Sequence, residues 1–220
     1  FGFDDVDEMR AAGLDAHEIV RVGMRGFMEG CLVHGIFHGD LHGGNLLVLP
    51  DGRIGLLDYG ICARMSPLER NAFLRLAMLG ASGDIPGQVA AFRDLGALPP
   101  DTDIAEAEIQ KITKALLGYG AKLPKILMLY VKNLVFLDGA IARLAPDLDL
   151  IAEFVSLSAH LATNFGEVLA AELGVSAGSF EADPQAIKAT FGIVDPDVDG
   201  VTYADLRKRR ETIQRRLAKH

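Results

Sequence analysis

The sequence predicts an α+β fold that is mostly α, with one small β-hairpin followed by a helical bundle. Three observations predict it. Two short apolar runs, Asn45–Leu49 and Arg53–Leu57, flank the turn residues Pro50-Asp51-Gly52, the pattern of a hairpin. From Asp101 onward the apolar residues recur almost without interruption at helical steps. Half of the 220 residues are apolar, enough to bury a sizeable core.

In chain order, the acidic, glycine-containing stretch from Phe1 to Leu14 reads as a connecting loop. Asp15 with Glu18 has the form of a capping box, and Val20, Met24, Phe27, Met28, Cys31 and Leu32 follow at helical spacing. A helix from about Ala16 to Val33 is therefore expected. His34-Gly35 ends it, and Ile36-Phe37 forms an apolar bridge into the segment His38–Gly60. Ser66-Pro67-Leu68-Glu69 combines an N-cap, a first-turn proline and a capping-box glutamate, so a helix to about Ala81 should follow. Gly83-Asp84 breaks it before a helix over Ile85–Leu95, and Leu98-Pro99-Pro100 is a loop.

After Pro124, Leu127, Tyr130, Leu134, Leu137, Ile141 and Leu144 form one apolar helical stripe. That helix is long enough for a bilayer. Lys125, Lys132, Asp138 and Arg143 would each cost roughly 2.5–3.5 kcal/mol at mid-membrane, so it reads as a buried core helix. Another helix is expected from Leu150 to Leu173. Residues 1–173 thus form one domain, Gly174–Asp199 reads as linker or surface loop with a short helix over Pro184–Thr190, and residues 200–220 carry a basic C-terminal helix over about Thr202–Ala218.

The central segment holds the residues suited to chemistry. His38-Gly39-Asp40-Leu41-His42-Gly43-Gly44-Asn45 precedes the hairpin and Asp58-Tyr59-Gly60 follows it. A hairpin brings its ends together, so Asn45 and Asp58 should lie at one end of the ribbon beside Asp40. Phosphoryl transfer from ATP needs an acceptor for the attacking hydroxyl's proton and oxygen ligands for magnesium. Asp40 fits the first role, and Asn45 and Asp58 the second. Protein kinases place an asparagine five residues after the catalytic aspartate and a metal-holding Asp-Phe-Gly later, the arrangement found here.

The net charge of −8 argues against nucleic-acid binding, which relies on Lys and Arg neutralising phosphates. The charge is uneven: Arg207–His220 holds seven Lys or Arg and one Glu, giving +6 there and −14 elsewhere. This tail suits an anionic lipid surface or an acidic partner, and equally a solvated terminal helix. The two cysteines, Cys31 and Cys62, have no metal or redox spacing, which fits bulk apolar packing and a cytoplasmic, reducing setting with peripheral membrane contact through the tail. The chain starts at Phe1 without a leader and reads as a piece of something longer.

Over Val20–Leu150 the sequence resembles the UbiB/AarF family of atypical kinases, whose members carry a Phe-His lead-in, then His-x-Asp-Pro-His-Pro-Gly-Asn, then an Asp-Phe-Gly-like triplet. Phe37–Asn45 and Asp58-Tyr59-Gly60 match, with Leu41, Gly43 and Tyr59 as departures. The resemblance implies a protein-kinase-like C-terminal lobe that binds ATP and Mg2+. Asp40 would be catalytic, Asp40, Asn45 and Asp58 would bind the cofactor, Asn45 and Asp58 would hold the metal, and His38, His42 and Gly60 would order the loop. It further implies ATPase or small-molecule phosphotransferase activity in isoprenoid-quinone lipid metabolism. The family's Gly-rich loop, strand lysine with helical glutamate, and Lys-x-Gly-Gln segment do not occur, so an N-terminal lobe of the parent chain is expected as the partner, and this piece alone is expected to be inactive.

Four other readings stand beside this one. An aminoglycoside- or choline-type phosphotransferase has a similar His-Gly-Asp loop and later aspartate, and a non-catalytic nucleotide-binding or scaffold module would use the same residues without turnover. His34, His38, Asp40 and His42 alternate as transition-metal ligands can. Asp195-Pro196-Asp197-Val198-Asp199-Gly200 imitates a calcium loop, but Leu206 stands where a bidentate glutamate is required.

Overall fold

The computed structural model describes residues 1–3, 5–82, 85–98, 124–175, 184–185, 188 and 200–208. Helices predominate, accompanied by two small antiparallel ribbons. The first helix, α1 (Val6–Ala11), lies inside the stretch expected to be a loop. Met9 is buried, and Phe1 pairs with Val48 in both directions, its N–H donating at 3.0 Å and its carbonyl accepting at 2.9 Å. Long-range pairing that no local pattern announces thus orders the N-terminal residues.

Helix α2 (Ala16–Leu32) starts where Asp15 accepts from the backbone N–H groups of His17 and Glu18. Strand β1 (Ile36–His38) is the apolar bridge of the sequence reading. It pairs with β4 (Cys62–Arg64), a second ribbon that the periodicity did not suggest. Between them, β2 (Leu46–Val48) and β3 (Ile54–Leu56) form the expected hairpin, with Leu46 opposite Leu56. Its turn closes with Gly52 at φ +82°, a backbone state that glycine adopts without strain.

Helix α3 (Pro67–Ser82) begins at a capping box: Ser66 Oγ accepts from the Glu69 N–H at 3.3 Å, and the Glu69 carboxylate accepts from the Ser66 N–H at 2.7 Å. After it come α4 (Ile85–Asp94), α5 (Lys125–Leu144) and α6 (Leu150–Leu173), the last capped by Asp149 and ended by Gly174 at φ +67°. The region from Pro99 through the residue before Pro124, and most of Gly174–Asp199 with the calcium-loop imitation, lie outside the described residues, as does the C-terminal helix beyond residue 208. Residues 184–185 and 188 are helical, and Lys188 is buried.

The core centres on an aromatic cluster where α2, β1, α3 and α5 meet. Tyr130 stacks on Phe27 with ring centroids 5.5 Å apart and meets Phe73 edge-on at 4.6 Å and Phe37 at 6.2 Å. The start of the basic C-terminal segment belongs to this body too. Tyr203 and Leu206 are buried, and the Tyr203 N–H donates to Leu148 O at 3.1 Å. That part of the expected amphipathic stripe packs against the chain itself. No described helix is long and apolar enough to cross a membrane.

Candidate functional site

The ends of the two ribbons meet beneath α5. His38 closes β1 with its side chain buried, and the two ring nitrogens divide its work. Nδ1 accepts from the Asp40 N–H at 3.2 Å, which makes Nε2 the protonated nitrogen, and Nε2–H is shared between Leu57 O at 3.0 Å and Asp58 O at 2.9 Å. One imidazole thus ties the loop holding Asp40 to the strand end holding Asp58. Gly39 fits between these layers because a Cβ there would meet Ile61 Cγ2 at 2.8 Å.

Asn45 is buried at the foot of β2. Its Nδ2 donates to Asp40 O at 3.1 Å, and its own carbonyl accepts from the Leu57 N–H at 2.9 Å. With the amide nitrogen committed to the loop, Oδ1 is the atom suited to a cation. His42 caps the one-turn 3-10 helix Gly43–Asn45, its Nδ1 accepting from the Gly44 N–H at 3.1 Å, and its Nε2 lies 4.0 Å from Asp40 Oδ2. Asp40 Oδ1 is in contact with Lys132 Nζ from α5. That ammonium, first by hydrogen bonding and then by charge, together with His42 and His38, holds the Asp40 carboxyl below the usual carboxylate range against a smaller opposing effect of burial.

Asp58 differs from Asp40. It is exposed, adopts φ +53°, and folds onto its own turn through Gly60 N–H to Oδ1 at 3.1 Å. Asp is among the few residues that take the left-handed state readily, because its short side chain bonds locally. A Cβ at Gly60 would lie 3.0 Å from Asp58 Oδ1, so glycine keeps this turn tight. Tyr59 is exposed, with its ring 5.8 Å from that of His38.

Residues 1–89 of the chain, which include Asp40, Asn45 and Asp58, match the ABC1 atypical kinase-like domain. Over that stretch the chain is an ABC1 atypical kinase-like domain. It is similar to an uncharacterized protein of Mycobacterium tuberculosis, 32% identical over 174 residues that make up 68% of this chain and 36% of the relative. An uncharacterized Synechocystis protein is 26% identical over 193 residues, 77% of this chain and 28% of its own. The chloroplastic Arabidopsis thaliana protein named ACTIVITY OF BC1 COMPLEX KINASE 1 is 25% identical over 166 residues, 65% of this chain and 24% of its own. The chain therefore spans roughly a quarter to just over a third of the length of these relatives. No solved structure gives a significant match.

Two residues of the site escaped the sequence reading, and both lie beyond the stretch matched to the ABC1 domain. Asn133 is wholly buried; its Oδ1 accepts from the Leu41 N–H at 3.2 Å and its Nδ2 donates to His38 O. Its neighbour Lys132 reaches Asp40. Asn133 stood in the sequence as a polar residue at the edge of the apolar stripe, the one signal that marks it, whereas Lys132 lies off the stripe and carries no such signal.

The transition-metal alternative fails on geometry. Both ring nitrogens of His38 are engaged by backbone groups, and the His34 ring packs edge-on against Phe165 at 6.3 Å. Among the described residues no three His, Cys, Asp or Glu side chains converge as a metal cluster. Of the two cysteines, Cys31 is fully buried as expected, with its thiol pKa pushed up by burial, whereas Cys62 is exposed and donates to Tyr59 O at 3.4 Å. Its place on the edge ribbon, where alternate residues face out, accounts for the difference.

An apolar cavity of about 350 Å³ lies beside the network, lined by Gly23 and Gly26 of α2, Leu46, Ile54 and Leu56 of the hairpin, and Phe136 of α5. The two glycines leave room on the α2 wall between Val22 and Phe27.

Proposed function

We propose that this chain carries the catalytic and metal-holding portion of an ATP-dependent phosphotransferase or ATPase. The observation that carries the reading is the shared hydrogen-bond network: His38 bonds to both the Asp40 N–H and the Asp58 carbonyl, and Asn45 bonds to the Asp40 carbonyl. Two carboxylates and one amide oxygen are hard ligands of the kind magnesium accepts when phosphate oxygens and water complete its shell. Asn45 and Asp58 would hold the ion, which when bound would neutralise charge on the phosphates.

Asp40 would accept a hydrogen bond from the attacking hydroxyl and orient it. An orienting role suits a loose transition state, where the proton leaves late. The resemblance to UbiB/AarF proteins extends the reading to isoprenoid-quinone lipid metabolism, with a further lobe of the parent chain completing the nucleotide site and a cytoplasmic setting at a membrane surface. The family's Gly-rich loop and strand lysine do not occur in this sequence, so this chain alone should bind Mg-ATP weakly; micromolar affinity by calorimetry would refute that.

The test of the reading is magnesium-dependent ATP turnover by the full-length protein, with Asp40→Asn and Asp58→Asn as variants. Loss in both is expected. Unchanged turnover in both eliminates enzymatic use of this site and leaves a binding or scaffold module.

A further inference from the structure

The loop from His38 to Asn45 contains no lysine or arginine, yet a triphosphate needs fixed cations as well as metal to offset its charge. The tertiary structure brings one in from 92 residues away: Lys132 Nζ sits against Asp40 Oδ1. Arg53, the next basic residue in sequence, is at the far end of the hairpin and paired with Asp51 at 2.8 Å.

The pair is poorly suited to a structural role. The Lys132 side chain is 56% exposed and that of Asp40 30%; pairs so open to solvent contribute little to stability. The residue beside it is placed by different means. Asn133 is wholly buried and clamps the loop backbone at His38 O and Leu41 N. The root of the lysine is therefore fixed against the loop, while its ammonium ends a flexible stem in solvent. That combination suits capture of a phosphate by a mobile point charge.

We propose that Lys132 is a phosphate-recognising residue of this site, pairing with Asp40 in the free protein and with the terminal phosphate of a bound nucleoside triphosphate. The ligand class is a triphosphate, favoured over the corresponding diphosphate. The proposal rests on the nucleotide reading above and adds a residue outside the stretch matched to the ABC1 domain.

The test measures Mg-ATP and Mg-ADP binding by calorimetry on the full-length protein, with Lys132→Met and Lys132→Arg beside the wild type and thermal melting as a check on folding. Lys132→Met should weaken Mg-ATP about tenfold, the size expected for one charge-assisted contact, and leave Mg-ADP within about twofold of wild type. Lys132→Arg should restore most of the preference for ATP. If Lys132→Met weakens both nucleotides equally, or neither, the assignment of Lys132 falls while the nucleotide reading stands. A wild type that binds neither nucleotide defeats both.

Discussion

The two carboxylates of the site are held in opposite ways. Asp40 sits in a loop gripped from below by His38, from within by Asn45 and from above by Asn133, and its carboxylate carries a lysine partner. Asp58 sits in an exposed triplet folded mainly on itself, joined to the rest through its carbonyl bond to His38. The Asp40 loop is thus built as part of the core, and the triplet as a turn attached to it. That division fits the proposed roles, in which Asp40 as acceptor must be aimed and Asp58 as metal ligand must admit an ion and its water.

Breaking the grip on the loop should have the largest effect. Asn133→Leu orphans the Leu41 N–H and the His38 carbonyl in a buried place, at about 1–3 kcal/mol for each unsatisfied group. The melting temperature should fall by roughly 5–15 °C, as read by calorimetry or circular dichroism, and a fall of only a degree or two would mean that the loop holds itself.

Next comes the bridge between the regions. His38→Leu removes a donor shared by two carbonyls and the acceptor for the Asp40 N–H, for about 1–2 kcal/mol because water can reach the carbonyls of the exposed Leu57 and Asp58. Hydrogen exchange should quicken at Asp40 and at Gly60 together. Quickening at only one would show that the histidine does not couple them.

The triplet itself should tolerate change according to backbone shape. Asp58→Ala must place a β-carbon at φ +53° without a side-chain bond to Gly60, a cost of about 1 kcal/mol. Asp58→Asn keeps both the turn and the left-handed preference and should cost less than about 0.5 kcal/mol. Denaturant melts of the two variants read the difference, and equal costs would show that the turn carries no strain.

The smallest effect belongs to the Asp40–Lys132 pair. Because folding lowers the Asp40 pKa, its contribution is present above the unfolded carboxylate value of about 4 and is lost as pH falls through the lower folded value. Stability curves of wild type and Lys132→Met should therefore differ at neutral pH and converge in acid. Divergence on acidification would reverse the sign of the proposed coupling.

Local rules made much of the frame legible. The Asp15 cap and the Ser66–Glu69 box set helix starts, and Pro50-Asp51-Gly52 set the hairpin turn. Asp40, Asn45 and Asp58 were visible as a motif because their spacing is short and their chemistry unusual. Where the reading failed, the cause was range. α1 is only six residues long and is held by the burial of Met9 and its packing on α2, and β1 and β4 are three-residue strands whose paired residues lie from 24 (His38 with Cys62) to 28 (Ile36 with Arg64) positions apart in the sequence.

By itself, the sequence determined which groups are available for chemistry and where helices begin, because caps, turns and a five-residue step act through neighbours along the chain. Only the tertiary structure decided what holds and charges those groups. Asn133 and Lys132 are separated from Asp40 by more than 90 residues, and a contact at that range depends on how α5 packs against α2 and the aromatic cluster, which no local pattern encodes.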